Sequence, residues 1–98
     1  MQIAQEQRYT GEDWWNWSVW LDASPGEIDE VEKVVWRLHP TFRQPIREHT
    51  NREENFRLDT AGWGTFRIRA DVHMKDGRTS KLFHDLELYY DDDKPAPR

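Results

Sequence analysis

The amino-acid sequence predicts an all-β chain folded as an antiparallel β-sandwich. Several short segments alternate apolar with polar residues, turn residues separate these segments, and no segment has a convincing helical period. Six tryptophans, three tyrosines and four phenylalanines supply the apolar area that the few aliphatic residues lack. We therefore expect one domain, with a core built largely from aromatic side chains.

The clearest predicted element is a hairpin in the C-terminal half. Apolar residues occupy every second position from Phe66 to Met74, and Asp76-Gly77 follows as a hairpin turn signal. The returning strand is expected over Leu82 to Tyr90. One of its faces carries Leu82, His84, Leu86, Leu88 and Tyr90.

Three further strands are predicted upstream, over Trp14–Asp22, Val31–Leu38 and Asn55–Asp59. Ser24-Pro25-Gly26 is interpreted as a turn after the first of them. The second strand is ambiguous because its apolar residues, taken together with Ile28, also fit a helical stripe. We favour a strand because β-branched residues and tryptophan suit a pleated surface.

Both ends of the chain are expected to be frayed. Residues 1–12 are polar and are predicted to form a flexible segment, residues 13–90 the domain, and residues 91–98 an acidic tail with two prolines. The acidic triplet Asp91-Asp92-Asp93 resembles a set of calcium ligands, but solvated charge is the commoner role of such a run.

Composition disfavours several classes of function. Without cysteine there is no disulfide, thiolate zinc site or thiol catalysis, and His39, His49, His73 and His84 show no metal-ligand spacing, so no metal or cofactor is expected. No nucleophile elbow or phosphate loop occurs, so we expect no enzyme.

A net charge of -5 favours a protein or peptide partner over nucleic acid. No apolar stretch is long enough for a membrane span, and a cytoplasmic location is expected.

Two loops combine aromatic residues with proline or glycine. Leu38–Phe42 follows a predicted strand, and Ala61–Phe66 precedes one. Loops at the strand ends of a sandwich cluster at one pole, so one aromatic from each loop is expected to face the other across a slot. The alternative interpretation is that Phe42 and Trp63 plug the end of the core.

The order and spacing of four blocks resemble a YEATS domain, in its compact prokaryotic form. The blocks are Trp17–Leu21, Val31–Phe42 with Pro45, Gly62–Phe66 and Leu82–Leu88. The resemblance covers about Trp14 to Tyr90. It implies an immunoglobulin-like β-sandwich and a non-catalytic module that recognises acetylated or crotonylated lysine on a partner protein.

The resemblance also implies which residues bind the ligand. One side of the acyl-lysine channel is formed by His39, Thr41 and Phe42, and the other by Gly62, Trp63 and Gly64. The rings of Phe42 and Trp63 are expected to sandwich the planar acyl-amide, and the Thr41 hydroxyl to accept its N–H. The backbone N–H of Trp63 is expected to donate to the acyl oxygen, while His39 braces the loop.

Two further residues extend the implied site. Asp85 aligns with a rim carboxylate that would hold basic residues of the partner, although a solvent-facing strand aspartate is the commoner case. Trp14 is the nearest counterpart of a third cage aromatic and fits the strand surface equally well.

A second class of function remains open. The chain is then an immunoglobulin-like structural or regulatory interaction domain that uses its sheet surface or an edge strand, with the aromatics merely packed. We assign Trp17 and Trp36 to the core and Trp63 to the slot, whereas Trp14, Trp15 and Trp20 stay unassigned.

Overall fold

The computed structural model describes residues 1–96, which form two stacked antiparallel sheets. The first sheet has strand order β1-β2-β5 and the second β4-β3-β6-β7. This arrangement confirms the predicted all-β sandwich. The elements are β1 (Gln2–Gly11), β2 (Trp14–Asp22), α1 (Pro25–Asp29), β3 (Val31–Arg37), β4 (Ile46–His49), β5 (Leu58–Gly62), β6 (Arg67–Met74) and β7 (Thr79–Asp85), with a 3-10 turn at Arg52–Glu54.

Tryptophans fill the space between the sheets. Trp15, Trp17 and Trp36 are at most 2% exposed, which confirms the core assignment of Trp17 and Trp36 and adds Trp15. The Trp36 indole N–H donates to the Phe56 carbonyl (3.0 Å), so the polar edge of this buried ring is paired. Aliphatic side chains complete the core, among them Val19, Leu21, Val34, Leu58, Ile68, Val72 and Leu88.

The first strand corrects the prediction of a flexible segment over residues 1–12. β1 pairs with β2 from Gln2↔Asp22 to Gly11↔Trp14. Its inward side chains include Gln5 and Gln7, whose amides bond the backbone of Glu87 and Tyr89 across the sandwich. Polar, half-buried residues therefore occupy part of the inward face here, and hydrophobic alternation cannot reveal such a strand.

A single helical turn corrects the expectation that no helix is present. Ser24 caps α1: its hydroxyl accepts from the Glu27 backbone N–H (3.2 Å), and the Glu27 carboxylate accepts from the Ser24 N–H (3.1 Å). This reciprocal arrangement is a capping box, with Pro25 in the first turn.

None of the helices in residues 1–96 is long and apolar enough to cross a membrane.

Two strands lie elsewhere than predicted, and β4 was not foreseen. The strand expected over Asn55–Asp59 is β5, which begins at Leu58, because Asn55 and Phe56 adopt left-handed backbone angles (φ 52° and 60°) after the 3-10 turn. The expected strand Leu82–Tyr90 is β7, which spans Thr79–Asp85. Beyond it, Leu86 and Leu88 still point into the core.

The hairpin between β6 and β7 follows the prediction, with a three-residue turn. Met74 N–H donates to the Arg78 carbonyl (2.8 Å), and Gly77 N–H to the Met74 carbonyl (3.0 Å). Gly77 has φ +93°, a conformation that residues with a side chain rarely adopt. The left-handed step of this turn therefore favours glycine.

The acidic tail folds back on the domain as far as the structure describes it, which corrects the expectation of fraying for residues 91–96. Ala96 is 8% exposed and its N–H donates to the Leu88 carbonyl (2.9 Å). Tyr90 N–H donates to the Lys94 carbonyl (2.9 Å). The remainder of the predicted tail, residues 97 and 98, lies outside the described residues.

A half-buried histidine, His84, is expected to make stability depend on pH. His84 Nε2 lies 2.7 Å from Gln5 Oε1, and burial lowers the pKa of His84 below its ordinary 6.5. The unfolded chain therefore takes up this proton at higher pH than the folded one. Stability is complete above about pH 6.5 and falls as pH drops through that value towards the folded-state pKa.

We expect the melting temperature, followed by circular dichroism, to decrease between about pH 7.5 and about pH 5.5. The variant His84→Gln keeps an N–H donor and loses the titration, so its decrease over the same range is expected to be smaller. Equal decreases in the two proteins would contradict this role of His84.

Candidate functional site

The two loops identified in the sequence meet at one end of the sandwich. Between them lies a cavity of about 220 Å³, which we call the aromatic slot. Its lining residues are Trp14, His39, Thr41, Phe42, Ala61, Gly62, Trp63, Gly64, Thr65 and Phe66. The structure thus brings together seven of the eight predicted site residues, all except Asp85.

One wall of the aromatic slot carries a hydroxyl held by a histidine. The Thr41 backbone N–H donates to His39 Nδ1 (3.2 Å), so this nitrogen is an acceptor. The Thr41 hydroxyl lies 2.9 Å from the same nitrogen and therefore donates to it. The lone pairs of the Thr41 oxygen are then available to accept a hydrogen bond from a ligand.

Phe42 and Trp63 differ in how they are held. Phe42 is half-buried, with its ring centroid 5.4 Å from that of Phe66 and 6.1 Å from that of Trp17. Trp63 is 60% exposed. Phe42 therefore closes the end of the core and lines the slot at once, whereas Trp63 does not plug the core.

The wall opposite Thr41 is formed where β5 ends. The ladder between β2 and β5 stops at the pair Trp15↔Gly62, so the backbone N–H of Trp63 lies beyond it. A Cβ built on Gly62 would lie 3.5 Å from Phe42 Cζ and 3.7 Å from Trp17 Nε1. The absence of a side chain at Gly62 therefore keeps space open next to the Phe42 ring.

Trp14 joins the aromatic slot from the start of β2 and is 45% exposed. The turn that precedes it places Glu12 and Asp13 at positive φ (56° and 57°), where residues with a side chain are strained. The Tyr90 hydroxyl donates to Asp13 (2.6 Å), and this bond raises the pKa of Tyr90 to about 12. Contacts to Asp13 thus hold the strained turn from which Trp14 projects.

Asp85 is placed away from the aromatic slot. It pairs with Arg67 across β6 and β7, with 2.9 Å between Arg67 Nε and the carboxylate. Together they border a separate small depression that shares only Thr65 and Phe66 with the slot. The ion pair raises the pKa of Arg67. Because both partners are charged, this edge of the domain carries one positive and one negative side chain.

Ala61, Thr65 and Phe66 belong to the second loop identified in the sequence, but no ligand contact was predicted for them. Phe66 was predicted on the apolar face of the strand Phe66–Met74, and its ring contacts to Phe42 and Trp17 show that it serves the core and the slot together. The Thr65 hydroxyl is buried and has no hydrogen-bond partner within residues 1–96. A lone threonine gives no signal of this kind in a sequence.

A larger depression of about 740 Å³ lies over β1, β2 and β5 and has a different chemistry. The Ser18 hydroxyl donates to Asp59 (2.5 Å), and Arg57 bonds both Asp59 and Glu6. These bonds lower the pKa of Asp59, with the Ser18 bond as the largest cause. Arg57 thus pairs with both carboxylates, and residues 1–96 contain no group of side chains arranged to hold a metal ion.

Loops at one end of a rigid sandwich that enclose an aromatic-lined slot are a common location for a ligand-binding site. The chain belongs to the prokaryotic YEATS domain family, whose sequence pattern matches residues 15–87. Members of this family are binding modules, which agrees with the site found here.

The relatives include eukaryotic transcription proteins. Transcription initiation factor TFIID subunit 14b of Arabidopsis thaliana is 33% identical over 82 residues, which are 79% of this chain and 30% of that protein. Protein AF-9 homolog of Eremothecium gossypii is 32% identical over 78 residues, or 74% and 36% of the two chains. The chain thus spans about a third of the length of these relatives.

Solved structures of the yeast Yaf9 YEATS domain share the fold. The one described as bound to H3K27ac superimposes with a TM-score of 0.69 over 96% of this chain and 73% of the other, at 20% identity. Another Yaf9 structure gives a TM-score of 0.71 over 91% and 65%, at 22% identity. These similarities confirm the immunoglobulin-like sandwich.

Proposed function

We propose that the aromatic slot binds an acylated lysine side chain of a partner protein or peptide. The observation that carries the proposal is the slot itself, in which Phe42, Trp63 and Trp14 surround a cavity next to the Thr41 hydroxyl. Its volume of about 220 Å³ is below the range of about 300–1,000 Å³ typical of small-molecule sites. A slot of this size suits the end of one side chain better than a whole metabolite.

The polar groups match the two ends of an amide. The Thr41 oxygen accepts the N–H of the acyl-amide, because its own hydrogen is engaged by His39. The backbone N–H of Trp63, beyond the end of the ladder, donates to the acyl oxygen. The flat amide then stacks between the rings of Phe42 and Trp63, which face it with apolar surface.

Two features disfavour unmodified lysine. An ammonium group has no acceptor for the Trp63 N–H, and an unpaired donor in such a site costs about 1–3 kcal/mol. The Arg47 guanidinium already lies over the Phe42 ring, 5.8 Å from its centroid. A second cation against the same ring is repelled, so neutral acyl-lysine is favoured over the charged side chain.

Titration with acetyl-lysine, crotonyl-lysine and unmodified lysine peptides tests the proposal. We expect acyl-dependent changes in the amide NMR signals of His39–Phe42 and Gly62–Thr65, with little change elsewhere. A dissociation constant of about 1 mM corresponds to a binding free energy of only about 4 kcal/mol. If the NMR signals do not change at about millimolar peptide, the proposal is overturned.

The bare backbone at Gly62 gives a further prediction. Gly62 does not have a positive φ, and a Cβ there makes ordinary contacts, so Gly62→Ala is expected to fold normally. The added methyl group narrows the slot beside Phe42 and is expected to weaken acyl-lysine binding about fivefold, or about 1 kcal/mol. Gly26→Ala is the matched control, because nothing lies within 4 Å of its Cβ. Equal affinities of the two variants would show that Gly62 does not border the ligand.

A further inference from the structure

Four outward side chains form a continuous line across the second sheet. The register pairs Arg37 with Ile46 of β4 on one side and with Arg69 of β6 on the other, and Arg69 with Phe83 of β7. All four lie on the face opposite the core, because the neighbouring Trp36, Ile68 and Ala70 are fully buried. We call this line the arginine row: Ile46, Arg37, Arg69 and Phe83.

The two arginines of the row are fixed by one buried carboxylate. Asp71 is 5% exposed and accepts from Arg37 Nε (2.6 Å) and from Arg69 Nε (2.7 Å). Burial alone raises the pKa of Asp71, but the hydrogen bonds from both arginines outweigh it and keep the pKa below that of an ordinary aspartate. The carboxylate therefore stays charged and holds both guanidinium groups in place.

Positive charge exceeds negative charge around this carboxylate. Lys81 lies opposite Asp71 on β7, so three cations surround one carboxylate. Other charges of the face are already balanced, since Lys33 pairs with Glu48 (2.6 Å) and Arg67 with Asp85 (2.9 Å). The centre of the face is thus cationic in a chain whose net charge is -5.

The row also presents unsatisfied donors and apolar surface. Within residues 1–96 the Arg37 side chain hydrogen-bonds only through Nε, which leaves its two terminal amino groups available in the fork geometry that matches a carboxylate. At the two ends of the row, Ile46 is 59% and Phe83 58% exposed. Exposed apolar patches mark contact surfaces, and aromatic residues and arginine are enriched in them.

We propose that the arginine row binds an acidic, partly apolar segment of a protein partner. Carboxylates of the segment accept hydrogen bonds from the free amino groups of Arg37 and from the side of the Arg69 guanidinium group that faces away from Asp71. Apolar side chains of the segment cover Phe83. The exposed Ile46 favours a protein segment over nucleic acid, because an aliphatic side chain has no role on a phosphate backbone. This surface is separate from the aromatic slot, so the proposal does not depend on acyl-lysine binding.

Fluorescence anisotropy with a labelled peptide of alternating Glu and Leu tests the proposal at low ionic strength. We expect saturable binding, none to the same peptide with Lys in place of Glu, and no competition from an acetyl-lysine peptide. The variant Arg37→Gln is expected to weaken binding about tenfold, as for loss of a charged hydrogen bond. Arg78→Gln, which removes the same charge at the exposed hairpin tip, is expected to have little effect.

Phe83→Ser provides a second variant that does not touch Asp71 and is also expected to weaken binding. Thermal melts of both variants show whether each is folded at the titration temperature. Absence of peptide binding, or equal losses in Arg37→Gln and Arg78→Gln, would overturn the proposal. Tighter binding of a short DNA duplex than of the acidic peptide would also overturn it, since the face would then serve a phosphate backbone.

Discussion

Replacement of Trp63 with alanine is expected to weaken acyl-lysine binding at least about 30-fold while leaving the fold intact. Trp63 is 60% exposed, so its removal takes little from the core. In the proposed complex Trp63 supplies one of the two rings that cover the acyl-amide. Loss of a tryptophan at the centre of an interface typically costs about 2 kcal/mol or more, which corresponds to about a 30-fold weaker affinity.

Isothermal titration with an acetyl-lysine peptide measures this effect. Trp63→Phe keeps an aromatic face and is expected to retain part of the affinity. Trp20→Ala is the matched control, because Trp20 lies against Arg57 on the outer face of the first sheet, away from the slot. If Trp63→Ala and Trp20→Ala bind the peptide equally well, Trp63 is not part of the site.

The second large effect is expected at Trp36, in the middle of the core. Trp36 is fully buried, and its indole N–H is the partner of the Phe56 carbonyl (3.0 Å). Trp36→Ala leaves a large cavity and a buried carbonyl without a donor. We expect a loss of about 3–5 kcal/mol in the free energy of unfolding, a large share of the stability of a domain this size.

Urea denaturation followed by circular dichroism measures that loss. The same substitution at Trp63 is the internal control, since one tryptophan is buried and the other exposed. A decrease of less than about 1 kcal/mol for Trp36→Ala would contradict the assignment of this ring to the core.

Hydrophobic alternation predicted the strands that bury an apolar face. β2 has the predicted bounds, β3 ends one residue early at Arg37, and β6 starts one residue late at Arg67. β1 was missed because glutamine amides, bonded to the backbone across the sandwich, take the place of apolar side chains on part of its inner face. The helix α1 did leave a signal, the capping-box spacing of Ser24 and Glu27, which was interpreted only as a turn.

Most of the candidate site could be predicted because its residues are contiguous in two loops. Thr41 and Phe42 are neighbours in one loop, and Trp63 lies between two glycines in the other. Both patterns can be identified in the sequence without knowing how the strands pair. The position of Asp85 could not be predicted, because it depends on the cross-strand register that places it opposite Arg67. The arginine row was missed for the same reason, since its four members come from four different strands.

Intermolecular NOEs between an acetyl-lysine peptide and the domain would locate the bound acyl group. We predict contacts from the acetyl methyl group to the ring protons of Phe42 and Trp63, at peptide concentrations that saturate the amide shifts. Contacts of the methyl group to another surface, or a bound peptide whose acetyl group gives no contact to either ring, would contradict this prediction.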